Sequence, residues 1–197
     1  VEELSNERIA GTSIDDRAGC AIAIEIAEKL SLRKKGPPIN LVFSVQEEFN
    51  LRGVIPLAKQ LLPDIAIQLD LILATDTPDM RDRGNISLGK GPVISLFSFH
   101  GRGTLNGVIP HPALVKLFEK TALQNKIPLQ KSAHNGALTD LSYVQLVGKG
   151  VACIDVGFPL RYSHSSLEIC DLNDLIQLTK LLGEVLDNID GKIDLNR

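Results

Sequence analysis

Residues 64–75 read DIAIQLDLILAT, a run of aliphatic side chains with one carboxylate in its middle. A short apolar run of this kind predicts a buried β-strand. Asp70 stands between Leu69 and Leu71, and an unpaired charge in such a strand would be costly. Either this is an edge strand with one solvent-exposed face, which Gln68 on the same face as Asp70 would favour, or Asp70 has a functional partner.

Helical and strand patterns alternate on both sides of this stretch. The last helix begins at Asp171, a favourable cap, and places Leu, Val and Ile at helical spacing. The alternation predicts one α/β domain over residues 1–197, a mostly parallel mixed sheet with helices on both faces. The other predicted helices are 17–33, 51–62 and 112–125, and the other predicted strands are 39–46, 92–99, 127–132 and 151–157.

The composition excludes several classes of protein. The 197 residues are 44% hydrophobic and 23% charged, with a formal net charge of −3 and no basic stripe, so no nucleic-acid partner is expected. No stretch approaches the ~18 apolar residues of a membrane span, so no membrane partner is expected either. The three cysteines lie far apart in apolar surroundings, which favours reduced thiols and a cytoplasmic location.

Two adjacent acids, Glu47 and Glu48, end the predicted strand in INLVFSVQEEFN at residues 39–50. Successive side chains of a strand point to opposite faces, so two acids at its end need solvent on both sides or a cation. In open α/β sheets, functional sites lie at the carboxyl ends of strands, which is where these acids fall. We therefore expect a metal-binding or acid–base role for the pair.

Further acids and one histidine can reach the same edge of the sheet. Asp15 and Asp16 stand in TSIDDRAG, at a turn into the first helix, where they act either as helix caps or as part of a site. His164 lies in FPLRYSHSSLE, after the strand 151–157. Asp, Glu and His together suit Zn²⁺ or a similar divalent ion. One glutamate would then hold the metal while its neighbour moves the proton of an attacking water.

The same segments resemble one known family. The stretches IDDRAGCA, VQEEFNLRG, PDIAIQLD, LGKGP, Thr139-Asp140 and FPLRYSHSSLE are similar to motifs of the M42 metallo-aminopeptidases, in family order and over nearly the whole chain. This family comprises glutamyl and deblocking aminopeptidases and the large tetrahedral peptidases. The resemblance implies a zinc-peptidase-like three-layer α/β sandwich.

The resemblance also implies a role for each candidate residue. Glu47 resembles the general base of the family, and Asp140 resembles a pocket residue near the substrate. Arg161 and Tyr162 would shape the specificity pocket. Asp16 would follow Asp15 through what is often a cis peptide. The implied metal ligands are Asp15, shared by two ions, Glu48 and His164 on one ion, and Asp70 on the other.

One motif of the family has no counterpart in this chain. The family carries an earlier His-x-Asp motif, whose histidine binds metal beside the position of Asp70, and a small β-rich dimerisation domain. Neither precedes Asp15. The resemblance therefore implies a catalytic domain that is incomplete at its N-terminus, with one incomplete metal site.

The expected function is that of a two-metal aminopeptidase, which hydrolyses the first peptide bond through a metal-bridging water. The ions would be zinc, with cobalt or manganese as alternatives. The resemblance implies a peptide substrate and a homo-oligomer, either a dimer or a dodecamer. Two alternatives stay open: a carboxypeptidase or deacylase of a related two-metal fold, and an inactive fragment that binds peptides or assembles with partners.

Overall fold

The computed structural model describes residues 1–101, 106–191 and 193–196, and strands and helices alternate along most of that length. The helices are α1 (Ile14–Ser31), α2 (Val54–Leu61), α3 (Pro112–Gln124), α4 (Leu141–Val144) and α5 (Leu172–Asn188). The strands are β1 (Glu2–Glu3), β2 (Arg8–Gly11), β3 (Ile65–Leu73), β4 (Val93–Phe99), β5 (Gly107–Val108), β6 (Gln130–Asn135), β7 (Ala152–Leu160) and β8 (Glu168–Asp171).

The main sheet is mixed. Its strand order is β3-β7-β4-β5, and β6 also pairs with β4. The two long pairings, β3 with β7 and β4 with β6, are parallel, whereas β4 meets β5 and β7 in short antiparallel pairings. A second, antiparallel sheet has the order β1-β2-β8. The long pairings confirm the predicted α/β class with a mostly parallel mixed sheet.

Helices cover both faces of β7, which is buried along its whole length. On one face, Ile154 and Phe158 belong to a core that α1, α3 and α5 complete. On the other face, Cys153 packs with residues of α2 and α4. Side chains of a strand alternate between its faces, so one buried strand contributes to two cores. This is the three-layer arrangement that the sequence predicts.

Side-chain bonds determine where two of the helices begin. Asp171 Oδ1 accepts a hydrogen bond of 3.0 Å from the N–H of Asn173 and caps α5, as the sequence predicts. In α1, Asp15 and Asp16 have non-helical backbone angles, and Asp16 Oδ1 accepts a hydrogen bond of 3.1 Å from the N–H of Gly19 where the regular part of the helix begins. Each bond satisfies an N–H that has no partner inside its helix. The capping interpretation of the acid pair therefore holds for Asp16, which leaves the side chain of Asp15 available for another role.

Residues 39–46 do not form a strand, so that prediction is wrong. The segment is irregular and exposes Phe43 and Val45, whose relative exposures are 54% and 70%. A strand needs a neighbouring strand to satisfy its N–H and C=O groups, and an apolar sequence pattern does not reveal whether one is present. Within the described residues, the edge strand β3 pairs with β7 alone.

The remaining predicted elements occur with shifted ends. The helix predicted at 51–62 begins at Val54, and the strand predicted at 127–132 lies at Gln130–Asn135. The strand predicted at 151–157 extends to Leu160. The sequence does not predict β1, β2, β5 and β8, because strands of two to four residues carry too little periodicity to recognise.

Gly157 lets β3 and β7 approach closely. It is the register partner of Asp70, and a Cβ added to Gly157 would lie 1.9 Å from the carbonyl oxygen of Asp70. No side chain fits at that distance from a backbone atom. The glycine therefore sets the position of Asp70 relative to the centre of the sheet.

The helices are amphipathic and pack on the sheet by one face. α1 buries Ile22 and Ile26, and α5 buries Leu178 and Leu181 in the same core. Such a stripe of apolar side chains is typical of helices at the surface of a globular domain. Within the described part of the chain, no helix combines the length and apolar character needed to cross a bilayer.

Replacing a phenylalanine by alanine should affect stability very differently in the core and in the irregular segment 39–46. Phe118 is fully buried, whereas Phe43 is 54% exposed. Phe118→Ala should lower the free energy of unfolding by about 3–5 kcal/mol, because it leaves a cavity in the core. Phe43→Ala should change it by less than about 0.5 kcal/mol. Urea titration followed by circular dichroism measures both. A loss above about 2 kcal/mol in Phe43→Ala would show that residues 39–46 are packed like a core strand.

Candidate metal site

Three side chains from distant parts of the chain converge at one point. Asp15 lies at the start of α1, Glu48 in the segment before α2, and His164 in the loop between β7 and β8. Nε2 of His164 lies 3.3 Å from Oδ2 of Asp15 and 3.1 Å from Oε2 of Glu48. Among the described residues, this is the one group of three potential ligands whose atoms all lie within 4.8 Å of one another.

The spacing of these atoms fits a divalent ion. Zn²⁺ binds nitrogen and oxygen ligands at ~2.0–2.2 Å, so neighbouring ligand atoms of a tetrahedral site lie roughly 3.4 Å apart. The distances of 3.1 and 3.3 Å at His164 are close to that value. Three protein ligands with one position left open are typical of catalytic zinc sites. The side chains of His164 and Glu48 are 71% and 56% exposed, so a substrate can reach this position.

Asp15 and Glu47 bind protons unusually tightly. The pKa of Asp15 is raised to about 6, mainly by burial and then by the charge of Glu48, while His164 opposes the shift. Burial also raises the pKa of Glu47 to about 7, with contributions from the charges of Asp140, Glu48 and Asp15. Glu47 therefore lies close enough to two of the three converging side chains, Asp15 and Glu48, to interact with their charges.

Asp16 and Asp70 show the same effect. The pKa of Asp16 is raised to about 8, mainly by burial, with the bond from the Gly19 N–H opposing the shift and the charges of Asp15 and Glu47 contributing to it. Burial likewise raises the pKa of Asp70 well above its usual range, and the charges of Asp16, Asp15 and Glu47 increase that shift. Asp70 therefore faces the same cluster, although its ligand atoms are not in the group within 4.8 Å.

No lysine or arginine balances these acids within the part of the chain that the structure describes. The ion pairs of the site involve the imidazole of His164 alone, and neither Lys nor Arg is among the causes of the four pKa shifts. Carboxylates packed in this way require protons or a bound cation. Carboxylate oxygens and an imidazole nitrogen are ligands that suit Zn²⁺ and related ions.

A pair of backbone hydrogen bonds at the base of its loop positions His164. The backbones of Arg161 and Ile169 exchange two hydrogen bonds, of 2.9 and 3.2 Å, and so close the loop that joins β7 to β8. Within this loop, Tyr162 and His164 have left-handed backbones with φ of 62° and 60°. Such a conformation costs about 1–3 kcal/mol for a residue other than glycine, and it is common at functional sites. The peptide bond between Asp15 and Asp16 is cis, as the resemblance implies.

Asp140, Arg161 and Tyr162, the predicted substrate-binding residues, have different surroundings. Asp140 is buried, accepts a hydrogen bond of 2.5 Å from Oγ of Ser44, and lies near Glu47, whose pKa it raises. The guanidinium of Arg161 donates two hydrogen bonds, of 2.7 and 2.8 Å, to the carboxylate of Asp76. Tyr162 is 52% exposed and lies in the loop between β7 and β8 that carries His164. The substrate roles of all three stay predictions.

Sequence reasoning misses two residues that touch the site. Oγ of Ser163 donates a hydrogen bond of 3.4 Å to Oδ2 of Asp15. Glu168 is buried and accepts hydrogen bonds from the backbone N–H groups of Asp15 and His164. The signal for Glu168 is an acid directly before the apolar pair Ile169-Cys170, the pattern that singles out Asp70 in β3.

Comparisons with known proteins agree on one family. A family model described as M42 glutamyl aminopeptidase matches residues 1–181. SgcX of Escherichia coli (strain K12), which carries a provisional aminopeptidase name, is 37% identical over 179 residues, or 91% of this chain and 48% of SgcX. The chain thus spans about half the length of this relative.

Solved structures show the same fold. The crystal structure of a TET aminopeptidase from the marine sediment archaeon Thaumarchaeota archaeon SCGC AB-539-E09 matches with a TM-score of 0.88 and 26% identity, over 98% of this chain and 53% of that one. The Pyrococcus horikoshii TET1 peptidase, which can assemble into a tetrahedron or a large octahedral shell, matches with a TM-score of 0.82 and 27% identity, over 94% of this chain and 52% of that one.

The raised pKa values of the cluster predict how the metal-free protein responds to pH. The folded-state pKa values of Asp15, Glu47 and Asp16, about 6, 7 and 8, exceed the ordinary values, so the folded state binds more protons than the unfolded chain. Their contribution to stability is complete below about pH 4 and is lost as the pH rises through these folded-state values. Thermal unfolding in EDTA should show this fall between pH 5 and 8.

Asp16→Asn is the matched test, because an amide oxygen can still accept the hydrogen bond from Gly19 while the charge is removed. The variant should unfold at a higher temperature than the wild type at pH 8, where Asp16 is partly ionised. At pH 5, where Asp16 is protonated, the two proteins should differ little. If the variant were no more stable than the wild type at pH 8, repulsion between these carboxylates would not be destabilising the folded state.

Proposed function

Because the chain belongs to the M42 family of glutamyl aminopeptidases, we propose that it is the catalytic α/β domain of a metal-dependent aminopeptidase that removes N-terminal residues from peptides. The observation that carries this proposal is the convergence of Asp15, Glu48 and His164 within 4.8 Å. Glu47 directly precedes Glu48 and interacts with the same charges. A cation site beside a carboxyl group of raised pKa is suited to activating water for hydrolysis.

The four candidate ligands divide between two positions. Asp15, Glu48 and His164 would hold one divalent ion, and Asp70 would hold a second ion that shares Asp15. Zinc suits this set of oxygen and nitrogen donors, and cobalt or manganese would fit it as well. A bound divalent ion would supply polarisation of the substrate carbonyl and would lower the pKa of an attacking water. The proximity of Asp70 to Asp15 and Asp16 supports the second position.

Glu47 would act as the proton carrier. Its carboxylate takes a proton from the attacking water and returns it to the nitrogen of the leaving amine. A base works best when its pKa lies near the working pH, and that of Glu47 is about 7. Asp140, whose Oδ2 is held by Ser44, contributes to this value through its charge. In this proposal Asp140 therefore helps to tune the base as well as lining the pocket.

The charge of the site favours a substrate with a positive end. A cleft lined by acids attracts the free ammonium group of a peptide. Tyr162, exposed beside Ser163 and His164, would contact the first side chain of the peptide. Arg161, engaged with Asp76, would act mainly by holding the start of this loop.

The oligomeric state can be proposed from a similar protein, and the location in the cell from the cysteines. The Pyrococcus horikoshii TET1 peptidase can assemble into a tetrahedron or a large octahedral shell, and we propose that this protein also forms a homo-oligomer, a dimer or a dodecamer. Cys153 and Cys170 are buried in the fold, which suits the reduced thiols of a cytoplasmic protein.

Replacement of the proposed base should separate catalysis from metal binding. Glu47→Gln keeps the size of the side chain but cannot accept the proton, so turnover should fall at least ~10²-fold. Its zinc content, measured by atomic absorption after dialysis, should match the wild type. Glu48→Gln is the neighbouring control and should lose zinc. Turnover near the wild-type value in Glu47→Gln would remove this residue from the base role.

A panel of substrates tests the type of bond that is cleaved. Peptides with a free amino group should be hydrolysed from that end, because the acidic site binds an ammonium group. N-acylated peptides and substrates recognised by a free carboxylate should react at least ~10²-fold more slowly. Liberation of amino acids can be followed by mass spectrometry. Preferential cleavage of acylated substrates would favour a deacylase instead, and cleavage from the carboxyl end a carboxypeptidase.

A further inference from the structure

We propose that Glu168 is a positioning residue, which holds the metal ligands Asp15 and His164 at their mutual distance by binding the backbone N–H of each. This inference rests on the metal site proposed above and assigns a role to a residue outside the ligand set. Glu168 is the first residue of β8 and is 2% exposed.

One carboxylate joins two distant segments of the chain. Oε2 of Glu168 accepts a hydrogen bond of 3.0 Å from the N–H of Asp15, which is 153 residues away in sequence. Oε1 accepts one of 3.1 Å from the N–H of His164, only four residues away. Both oxygens are thus used, and both bonds lead to a candidate ligand. Hydrogen bonds to an ionised carboxylate are roughly twice as strong as those between neutral groups.

Neither N–H has an alternative acceptor in the regular structure. Asp15 lies in the first turn of α1, where N–H groups have no partner inside the helix. His164 lies in the loop between β7 and β8 with a left-handed backbone, outside both strands. Glu168 in turn forms no ion pair with any described lysine or arginine, so these N–H groups are what stabilises its buried charge.

The consequence is a fixed distance between two ligand atoms. Oδ2 of Asp15 and Nε2 of His164 are 3.3 Å apart, although their backbones belong to separate segments. Metal affinity depends on ligand placement to within about 0.5 Å. Groups that orient metal ligands through hydrogen bonds typically contribute 10–100-fold in metal affinity. A buried carboxylate bonded to both backbones acts in this way.

The chain contains a matched control for Glu168. Asp174 is also fully buried, and its two carboxylate oxygens accept hydrogen bonds of 2.7 Å each from the N–H groups of Gly89 and Gly91. It therefore makes the same kind of double contact with a backbone. The segment that it holds carries none of the candidate metal ligands.

The experiment compares Glu168→Gln with Asp174→Asn. Each amide keeps one acceptor oxygen and turns an NH₂ group towards the other backbone N–H, so each variant loses one of its two bonds. Zn²⁺ affinity is measured on the full chain by competition with a chromogenic chelator. Glu168→Gln should bind Zn²⁺ roughly 10–100-fold more weakly than the wild type. Asp174→Asn should stay within about threefold, because the segment that it holds carries no candidate metal ligand. Both variants should unfold at lower temperatures in EDTA.

Amide hydrogen exchange of the wild type gives a second test that needs no substitution. The N–H groups of Asp15 and His164 should exchange at least ~10-fold more slowly than exposed loop amides, even without metal. If Glu168→Gln bound Zn²⁺ as tightly as the wild type, the positioning role would be overturned while the proposed function would stand. Fast exchange of both amides would have the same consequence. Absence of saturable Zn²⁺ binding by the wild type would overturn the proposed function, and the inference with it. Equal weakening in both variants would show a general loss of stability and also overturn the positioning role.

Discussion

Carboxyl groups that share a small volume cannot all be ionised unless a positive charge joins them, and this constraint shapes the whole site. Asp15, Asp16, Glu47 and Asp70 reach it from three separate segments, and each has a raised pKa. The core on one face of β7 holds α1, and pairing with β7 holds β3, so the acids on these two elements are kept close together. Binding of an ion would therefore be coupled to folding, since the ion would relieve the repulsion that the folded chain imposes.

Much of the fold can be read from the sequence because its two longest strands are nearly continuous apolar runs. The segments 64–75 and 151–157 are recognisable as strands without knowledge of their neighbours, and they form the longest parallel pair of the sheet. The imidazole of His164 is predictable for a related reason, because it follows β7 at the edge where open α/β sheets bind ligands. Asp15 is predictable from its position at the start of α1. The sequence pattern singles out Glu48 as the end of a strand that does not form, and yet the structure brings it to the other two residues.

Other features depend on partners that a local pattern does not contain. The run at 39–46 looks like a core strand, yet within the described residues it has no strand to pair with and leaves Phe43 exposed. Glu168 is the opposite case, since an acid in a short strand looks like a surface residue. Its importance lies in two N–H groups, one of them 153 residues away, which no periodicity can reveal. Asp15 and Asp16 are adjacent in sequence but differ in task, because only Asp16 bonds back into its own helix.

The glycine at position 157 has a consequence for attempts to re-engineer this cleft. Any other amino acid would bring a carbon atom against the Asp70 carbonyl and push the two parallel strands apart. Designed substitutions are thus better placed in the segments around Glu48 and Tyr162, which face the solvent and lack this backbone contact. The sheet supplies a fixed frame for the cleft, while changes in substrate choice would arise in the loops above it.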